Sequence, residues 1–276
     1  MEIRFANSPK ETASMNTAAL RQHYLVEQLI GKDALKLVYS HYDRMIVGGV
    51  MPVFASIHIP NEAELRANFF CERREMGIIN VGGDGQILVD GQAYPMQQLE
   101  CLYIGKGARD IQLSSLSSDN PAAFYILSAP AHHAYPTTKF TKAQAAPVRL
   151  GAAETSNART VYKYIHQEGI QSCQLVMGLT LLDEGSVWNS VPPHTHTRRM
   201  EVYFYFNLAE AQRIFHFMGE GQETRHLVVA NHDAVISPPW STHFGCGTSN
   251  YGFIWGMAGE NLMYTDMDPL PLNTIA

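Results

Sequence analysis

The alternation of apolar and polar positions predicts a chain built mostly from short β-strands. Runs rich in β-branched and aromatic residues are separated by clusters of glycine, proline, asparagine and aspartate, which is the pattern of strands joined by turns. Asp90 and Gly91 lie between two such runs and predict a tight hairpin. The aromatic run over residues 202–206 predicts a core strand. Many short strands at regular spacing favour a barrel or a sandwich.

Helical signals are sparse. Residues 17–30 are the best candidate, because Leu20, Tyr24 and Leu25 recur at roughly helical spacing and Thr17 is a suitable N-cap. The predicted fold class is therefore mainly all-β, with few short helices.

A weak internal repeat divides the chain. Residues 69–80 resemble residues 194–204, and residues 101–110 resemble residues 234–243. The repeat predicts two β-barrels in tandem, joined by a linker rich in proline, alanine, threonine and lysine. The predicted first barrel, linker and second barrel are residues 1–130, 131–150 and 151–276.

Composition restricts the classes of function. The chain has 276 residues, 46% of them hydrophobic and 17% charged, which suits a globular protein with a sizeable core. Its net charge of −6 argues against a nucleic-acid partner, although a small anionic substrate needs only a local basic patch. The four cysteines are widely spaced and predict free thiols. No signal-peptide pattern or membrane-spanning run is present, so we expect a cytoplasmic protein without a membrane partner.

Four residues are candidate metal ligands. His194 and His196 should point to the same face if they lie on a strand. Glu201 follows shortly afterwards, and His243 comes after a later strand and turn. A lone His-x-His pair often binds nothing, but here the pair leads directly into a core strand. Three imidazoles and one carboxylate suit zinc, and also iron, manganese or nickel.

The first copy of the repeat lacks these ligands, so we expect one metal ion in the second barrel and none in the first. The residues at the corresponding positions are Phe69, Cys71, Met76 or Glu75, and Asp110.

The ligand spacing resembles the cupin signature, in which a glycine precedes His-x-His, a glutamate follows, and a Pro-x-Gly-x-x-His segment comes last. Pro238 and His243 fit this pattern. Trp240 stands where the pattern has glycine, and the gap from Gly185 to His194 is longer than usual.

Further motifs make the resemblance more specific. They lie at residues 40–52, 72–75, 103–107, 194–206 and 222–226. Together they resemble the 5-keto-4-deoxyuronate isomerase family, also called 4-deoxy-L-threo-5-hexosulose-uronate ketol-isomerase, from about Tyr24 to about Asp268.

The resemblance implies a two-domain cupin, or bicupin, that acts in pectin and uronate breakdown. The implied reaction converts 5-dehydro-4-deoxy-D-glucuronate to 3-deoxy-D-glycero-2,5-hexodiulosonate. It also implies one zinc ion per subunit and a homohexamer, although another divalent metal stays possible. The implied zinc ligands match His194, His196, Glu201 and His243.

The reaction needs a general base and a group that holds the substrate carboxylate. Glu223, His226 and Glu201 are candidate bases, and the sequence does not choose among them. The candidates for binding the carboxylate are Arg198, Arg199, Arg225 and Lys163.

Two alternative functions also stay open. One is another metal enzyme on this scaffold, such as 5-deoxyglucuronate isomerase of inositol breakdown or a dioxygenase. The other is a non-catalytic sugar-acid-binding protein.

Overall fold

The computed structural model describes residues 1–276 and consists of β-strands with two short α-helices. The helices are α1 (Pro9–Ala13) and α2 (Thr17–Tyr24). Short 3-10 turns cover Ala63–Leu65, Phe70–Glu72, Ala153–Thr155 and Leu272–Thr274.

The strands of the first half are β1 (Glu2–Arg4), β2 (Leu25–Val26), β3 (Lys36–Ser40), β4 (Ile46–Val50), β5 (Ile57–His58), β6 (Arg74–Asn80), β7 (Gly85–Val89), β8 (Gln92–Met96), β9 (Cys101–Ile104), β10 (Ile111–Ser115), β11 (Phe124–Pro130) and β12 (Thr138–Phe140). Those of the second half are β13 (Val148–Leu150), β14 (Arg159–Ile165), β15 (Val176–Leu182), β16 (Trp188–Asn189), β17 (His194–Thr195), β18 (Arg199–Phe206), β19 (Ile214–Glu220), β20 (Glu223–Val229), β21 (Ala234–Ser237), β22 (Thr242–Gly247), β23 (Gly252–Gly259) and β24 (Asp268–Pro269).

The two halves have the same strand arrangement. One seven-stranded sheet has the order β1-β3-β4-β11-β6-β9-β12, and the other has β13-β14-β15-β23-β18-β21-β2. The two four-stranded sheets, β5-β10-β7-β8 and β16-β22-β19-β20, correspond in the same way, and β17 pairs with β24 in a separate ribbon. Strands β6 and β18 therefore hold equivalent places, as the internal repeat predicted.

In the first half, the large and small sheets pack across an apolar core. Ile78 and Phe124 from the large sheet share one buried cluster with Ile87 and Leu113 from the small sheet. Apolar side chains therefore fill the space between these two sheets.

The two large sheets also pack against each other. The rings of Tyr125 on β11 and Phe204 on β18 stack with centroids 4.4 Å apart. The backbones approach so closely that a Cβ added at Gly256 would lie 2.0 Å from a methyl carbon of Leu127. Residues 202–206 form a buried strand, as predicted. This run is covered within its own chain.

The helix prediction for residues 17–30 is only partly right. The helix ends at Tyr24, because Leu25 and Val26 form an edge strand that pairs with Val235 and Ala234. Pairing with a buried sheet edge outweighs the helical spacing of the sequence. The N-cap is not Thr17 but the preceding asparagine, whose side chain accepts a hydrogen bond from the Ala19 backbone N–H.

The hairpin prediction is confirmed. Strands β7 and β8 pair on either side of Asp90 and Gly91, which both have positive φ, of 48° and 84°. This backbone twist matches that of the paired strands.

The predicted linker contributes to both large sheets. Within residues 131–150, β12 pairs with β9 of the first large sheet, and β13 pairs with β14 of the second. Strand β2, from the first half, joins the second large sheet. The domain boundaries themselves stay a prediction.

The four cysteines form no disulfide, as predicted. Neither α-helix reaches the length and hydropathy that crossing a bilayer requires.

Candidate metal centre and its cavity

The four predicted ligands converge in the second half of the chain. One ligand atom from each of them falls within 4.8 Å of the others. Glu201 Oε2 lies 2.9 Å from His196 Nε2 and 2.8 Å from His243 Nε2. His194 Nε2 is 3.1 Å from His243 Nε2. All four side chains are buried, so the cluster is shielded from bulk water.

Two packed sheets and a ribbon deliver these side chains. Glu201 is on β18 of the large sheet, and His243 is on β22 of the small sheet. His194 begins the two-residue strand β17, and His196 lies in the turn that follows it. The two imidazoles meet at the cluster, but only His194 lies within a strand, so strand alternation, the reason given by the sequence, does not bring them together.

Hydrogen bonds orient two of the imidazoles. The Nδ1 of His196 lies 2.8 Å from the Arg199 carbonyl oxygen, which can only accept, so Nδ1 donates and Nε2 faces the cluster. The Nδ1 of His243 lies 3.2 Å from both Ser237 Oγ and the Ser241 carbonyl. Such outer partners fix the ring orientation of metal-ligating histidines.

The electrostatics suit metal binding. Burial, reinforced by the His243 imidazole, lowers the pKa of His194 to about 3, so His194 is neutral near pH 7. Burial alone would raise the pKa of Glu201, but His243 and His196 outweigh it and hold that pKa well below its usual range. Burial opposes protonation of His196, but Glu201 outweighs it and raises the His196 pKa. An ion binding here would displace this proton.

The donor set therefore fits a divalent ion. Three nitrogen atoms and one carboxylate oxygen, close together and buried, are typical ligands of zinc and of several other first-row metals.

A cavity of about 450 Å³ opens at the cluster. His194 and Glu201 lie in its wall, next to an aromatic surface that includes Tyr203, Trp255 and Tyr264. Glu201 is the only carboxylate among the lining residues. The size and the mixed polar and apolar lining are those of a small-molecule site.

Arg159 is the only basic residue in the wall besides His194, and sequence reasoning missed it. Its Nη1 donates to the Asn157 carbonyl at 2.8 Å, and no carboxylate pairs with it. Burial lowers the pKa of Arg159, but the guanidinium stays charged. No motif in the sequence distinguishes Arg159, because only the packing of the sheets places this β14 residue at the cavity.

None of the basic residues predicted to hold a substrate carboxylate lines this cavity. Arg198 pairs with Asp266 and Asp268, while Arg199 donates to the Met263 and Asp266 carbonyls. Arg225 pairs with Glu223. Lys163 lies outside the cavity, with its Nζ 5.3 Å from the Tyr264 ring centroid. Of the three candidate bases, only Glu201 reaches the cavity; Glu223 and His226 are exposed on β20.

The segment over residues 260–270, here called the strap, closes one side of the cavity. Tyr264, Thr265, Met267 and Pro269 of the strap line it. Its β24 pairs with β17, which places Pro269 opposite His194. The ion pairs of Arg198 therefore attach the strap rather than bind substrate.

The first half offers a different set of residues at the equivalent positions. Met76 pairs with Ile104, the last residue of the neighbouring strand β9, and Glu201 pairs with Ser237, the last residue of the neighbouring strand β21. Met76 is therefore the counterpart of Glu201. Glu75 instead accepts hydrogen bonds from Cys173 N and Leu175 N in the second half. The other counterparts are buried Cys71, half-buried Phe69 and exposed Asp110.

The fold and the donor set together define a cupin-like β protein with a candidate metal centre. The chain belongs to the KduI/IolB family, whose profile matches residues 24–269. The family resemblance inferred from the sequence motifs is thereby confirmed.

Two relatives that match nearly the full length of the chain carry the same name. The chain is 52% identical over 268 residues to the 4-deoxy-L-threo-5-hexosulose-uronate ketol-isomerase of Halalkalibacterium halodurans, covering 97% of each. It is 50% identical over 277 residues to the protein of that name from Yersinia pestis, covering 100% of each.

Solved structures agree on the fold. An IolB-like protein of Salmonella typhimurium superposes with a TM-score of 0.70 at 13% identity, covering 90% of this chain and 96% of that one. The oxalate decarboxylase of Lactobacillus farciminis gives 0.57 at 9% identity, covering 87% and 83%. At such identities the likeness concerns the fold alone.

Proposed function

We propose that this protein is a metal-dependent ketol-isomerase that converts 5-dehydro-4-deoxy-D-glucuronate to 3-deoxy-D-glycero-2,5-hexodiulosonate in uronate and pectin breakdown. The observation that carries the proposal is the buried donor cluster at the wall of a 450 Å³ cavity that also presents Arg159. The names of relatives at about 50% identity support the substrate.

The cavity residues would bind the substrate and stabilise the charge that develops during the reaction. Arg159 would hold the substrate carboxylate, since a guanidinium can bind both carboxylate oxygens. A divalent ion, when bound by the cluster, would polarise adjacent substrate oxygens and stabilise the negative charge that develops as a proton leaves carbon. Burial raises the pKa values of Tyr203 and Tyr264, so both hydroxyls stay protonated and able to donate hydrogen bonds. Their rings and the strap exclude water from the reacting carbons.

We propose zinc as the native ion, one per subunit, held by His194, His196, Glu201 and His243. Zinc would suffice, because ketol isomerisation oxidises one substrate carbon and reduces its neighbour without transferring electrons to or from the metal. The named uronate ketol-isomerase relatives share about half of their residues with this chain, which favours this reaction over the alternative 5-deoxyglucuronate isomerase.

The test combines metal analysis with turnover. We expect one divalent ion per chain, loss of isomerisation after chelation, and recovery on adding zinc under anaerobic conditions without nicotinamide. Solvent deuterium should enter the product if the base exchanges its proton. Full activity of metal-free protein, or a requirement for oxygen, would contradict the proposal.

We also propose that each large sheet and its small partner form one cupin-type barrel, giving a bicupin with domains over residues 1–130 and 151–276 joined by residues 131–150. The duplicated strand order supports this division. The family resemblance supports a homohexamer, for which sedimentation should show a species about six times 30.8 kDa. The unpaired cysteines support a cytoplasmic location.

A further inference from the structure

A second cavity, of about 280 Å³, lies in the first half of the chain beside the start of β6. Three arginines line it: Arg44, Arg73 and Arg74. Leu65, Phe70 and Pro130 contribute apolar surface. We call it the arginine cavity.

Arg74 is the most constrained of the three, with only 6% of its surface exposed. Its Nε donates to Ser128 Oγ at 3.0 Å, and its Nη2 donates to the Ser128 and Arg44 carbonyls, both at 2.6 Å. No carboxylate lies within ion-pair distance of Arg74. Burial lowers the pKa of Arg74 to about 10, so it is charged near pH 7. A buried cation without an anionic partner is costly, which makes this position a candidate for function.

The duplicated fold provides an internal comparison. Arg74 begins β6 and Arg199 begins β18, each two residues before the equivalent Met76 and Glu201. Arg73 and Arg198 immediately precede these strands. In the second half, Asp266 of the strap lies 2.6 Å from an Arg198 nitrogen and 3.6 Å from Arg199 Nε. In the first half, no segment of the chain places a carboxylate on the equivalent arginines.

The charge around the arginine cavity is unbalanced. Glu64 is the only carboxylate in the lining, and it forms no ion pair with any of the three arginines. Arg73 Nη2 donates to the backbone carbonyl of Arg66 at 2.8 Å, which uses part of its guanidinium. No carboxylate forms an ion pair with Arg73, because the carboxylate of the adjacent Glu72 accepts hydrogen bonds from Asn68 instead. The Arg74 guanidinium lies 5.9 Å from the centroid of the Tyr39 ring, which forms another wall.

We propose that the arginine cavity is a second ligand site, which binds the carboxylate of a small organic acid such as a sugar acid. The carboxylate would stand where Asp266 stands in the other half. Its volume is near the lower end of the range for small-molecule cavities, roughly 300–1,000 Å³. The site is separate from the metal cavity, and its occupation does not depend on the proposed isomerase activity.

Calorimetric titration of the intact, metal-loaded protein tests the proposal, with D-glucuronate as the probe and D-glucose as its neutral counterpart. Arg44 is exposed and its side chain forms no hydrogen bond, so Arg44→Gln avoids the unfolding that a change at buried Arg74 risks. We expect saturable glucuronate binding that Arg44→Gln weakens about tenfold, because it removes one charged hydrogen-bond donor. Glucose should not bind at this site.

Arg109→Gln is the matched control, because it makes the same charge change in the same half outside the cavity lining. It should leave the affinity unchanged. Glucuronate binding at the metal cavity would appear as a separate event that responds to Arg159→Gln instead. Three results would overturn the proposal: no binding that responds to Arg44, equal weakening by Arg109→Gln, or tighter binding of inorganic phosphate than of glucuronate.

Discussion

The Nε2 atoms of His194 and His243 lie 3.1 Å apart, although 49 residues separate them in the chain. Two nitrogens each about 2.0–2.1 Å from one tetrahedral zinc ion would be roughly 3.3 Å apart. The imidazoles therefore stand at the separation of two ligands of a common ion. They come from different strands, β17 and β22, so the packing of the fold maintains this separation.

Removing one imidazole should remove the metal. In His243→Ala, the cluster loses a nitrogen donor that also contacts Glu201, and we expect metal content to fall from one ion per chain to a small fraction. Inductively coupled plasma mass spectrometry measures this directly. His226→Ala, an exposed histidine on β20, is the control and should keep its metal. Full occupancy in His243→Ala, or a second ion near Cys71, would refute the assignment.

Arg159 should affect substrate binding more than stability. Replacing it with glutamine removes the only guanidinium in the cavity, and we expect KM to rise about tenfold to a hundredfold with a smaller change in kcat. Arg159→Lys keeps the positive charge but loses the two parallel N–H donors of the guanidinium, so its KM should lie between those of the wild type and Arg159→Gln. Arg149→Gln changes an exposed arginine outside the lining and should behave like the wild type. An unchanged KM in Arg159→Gln would show that another group holds the carboxylate.

The strap should loosen when Arg198 is replaced. Arg198 Nε donates to Asp266 Oδ1 at 2.7 Å, and an Nη donates to Asp268 Oδ2 at 2.8 Å. In Arg198→Gln we expect a severalfold higher KM and faster proteolytic cleavage within residues 260–270, while the metal stays bound. Arg213→Gln, which changes an exposed arginine bonded only to nearby backbone carbonyls, is the control.

The same ion pair defines a pH range for the strap. The hydrogen bond from Arg198 lowers the pKa of Asp266 from 3.8 to about 2. Because the pKa of Asp266 is lower in the folded state, the ion pair stabilises the attached strap fully above about pH 4, and this stabilisation is lost as the pH falls through 2. Proteolytic sensitivity of the wild-type strap should therefore be constant across the neutral range, and a transition near pH 6 would contradict this account.

Glu75 should be a major determinant of stability. It is fully buried and accepts hydrogen bonds from Tyr103 and from the backbone N–H groups of Cys173, Gln174 and Leu175. Glu75→Ala would leave these buried donors without an acceptor, so we expect the free energy of unfolding to fall by about 3–5 kcal/mol.

Tyr103→Phe removes only one of these bonds and should cost about 1 kcal/mol. Glu168→Ala, at an exposed glutamate, should change urea denaturation little. Similar denaturation curves for Glu75→Ala and Glu168→Ala would show that the loop over residues 172–175 finds other acceptors.

The sequence indicated the four candidate metal ligands because their chemistry is local to each residue. A histidine or a glutamate keeps its ligand atoms wherever it lies, so the candidates could be named from residue type and spacing. The Asp90-Gly91 hairpin was equally accessible, because positive φ at two successive residues is a local preference. The helix end at Tyr24 was not, since it depends on a strand more than two hundred residues away.

The tertiary structure decided which groups each arginine contacts. Arg198 and Arg199 lie between His196 and Glu201 in the sequence, yet both bind the strap, whereas Arg159 reaches the cavity from a strand without a sequence motif. All arginines have the same charge and reach, so their roles depend on which carboxylates and cavities the packed sheets place beside them. The sequence by itself determined which atoms could bind a metal. The packing of two sheets from distant segments determined where those atoms meet and which cation faces the space next to them.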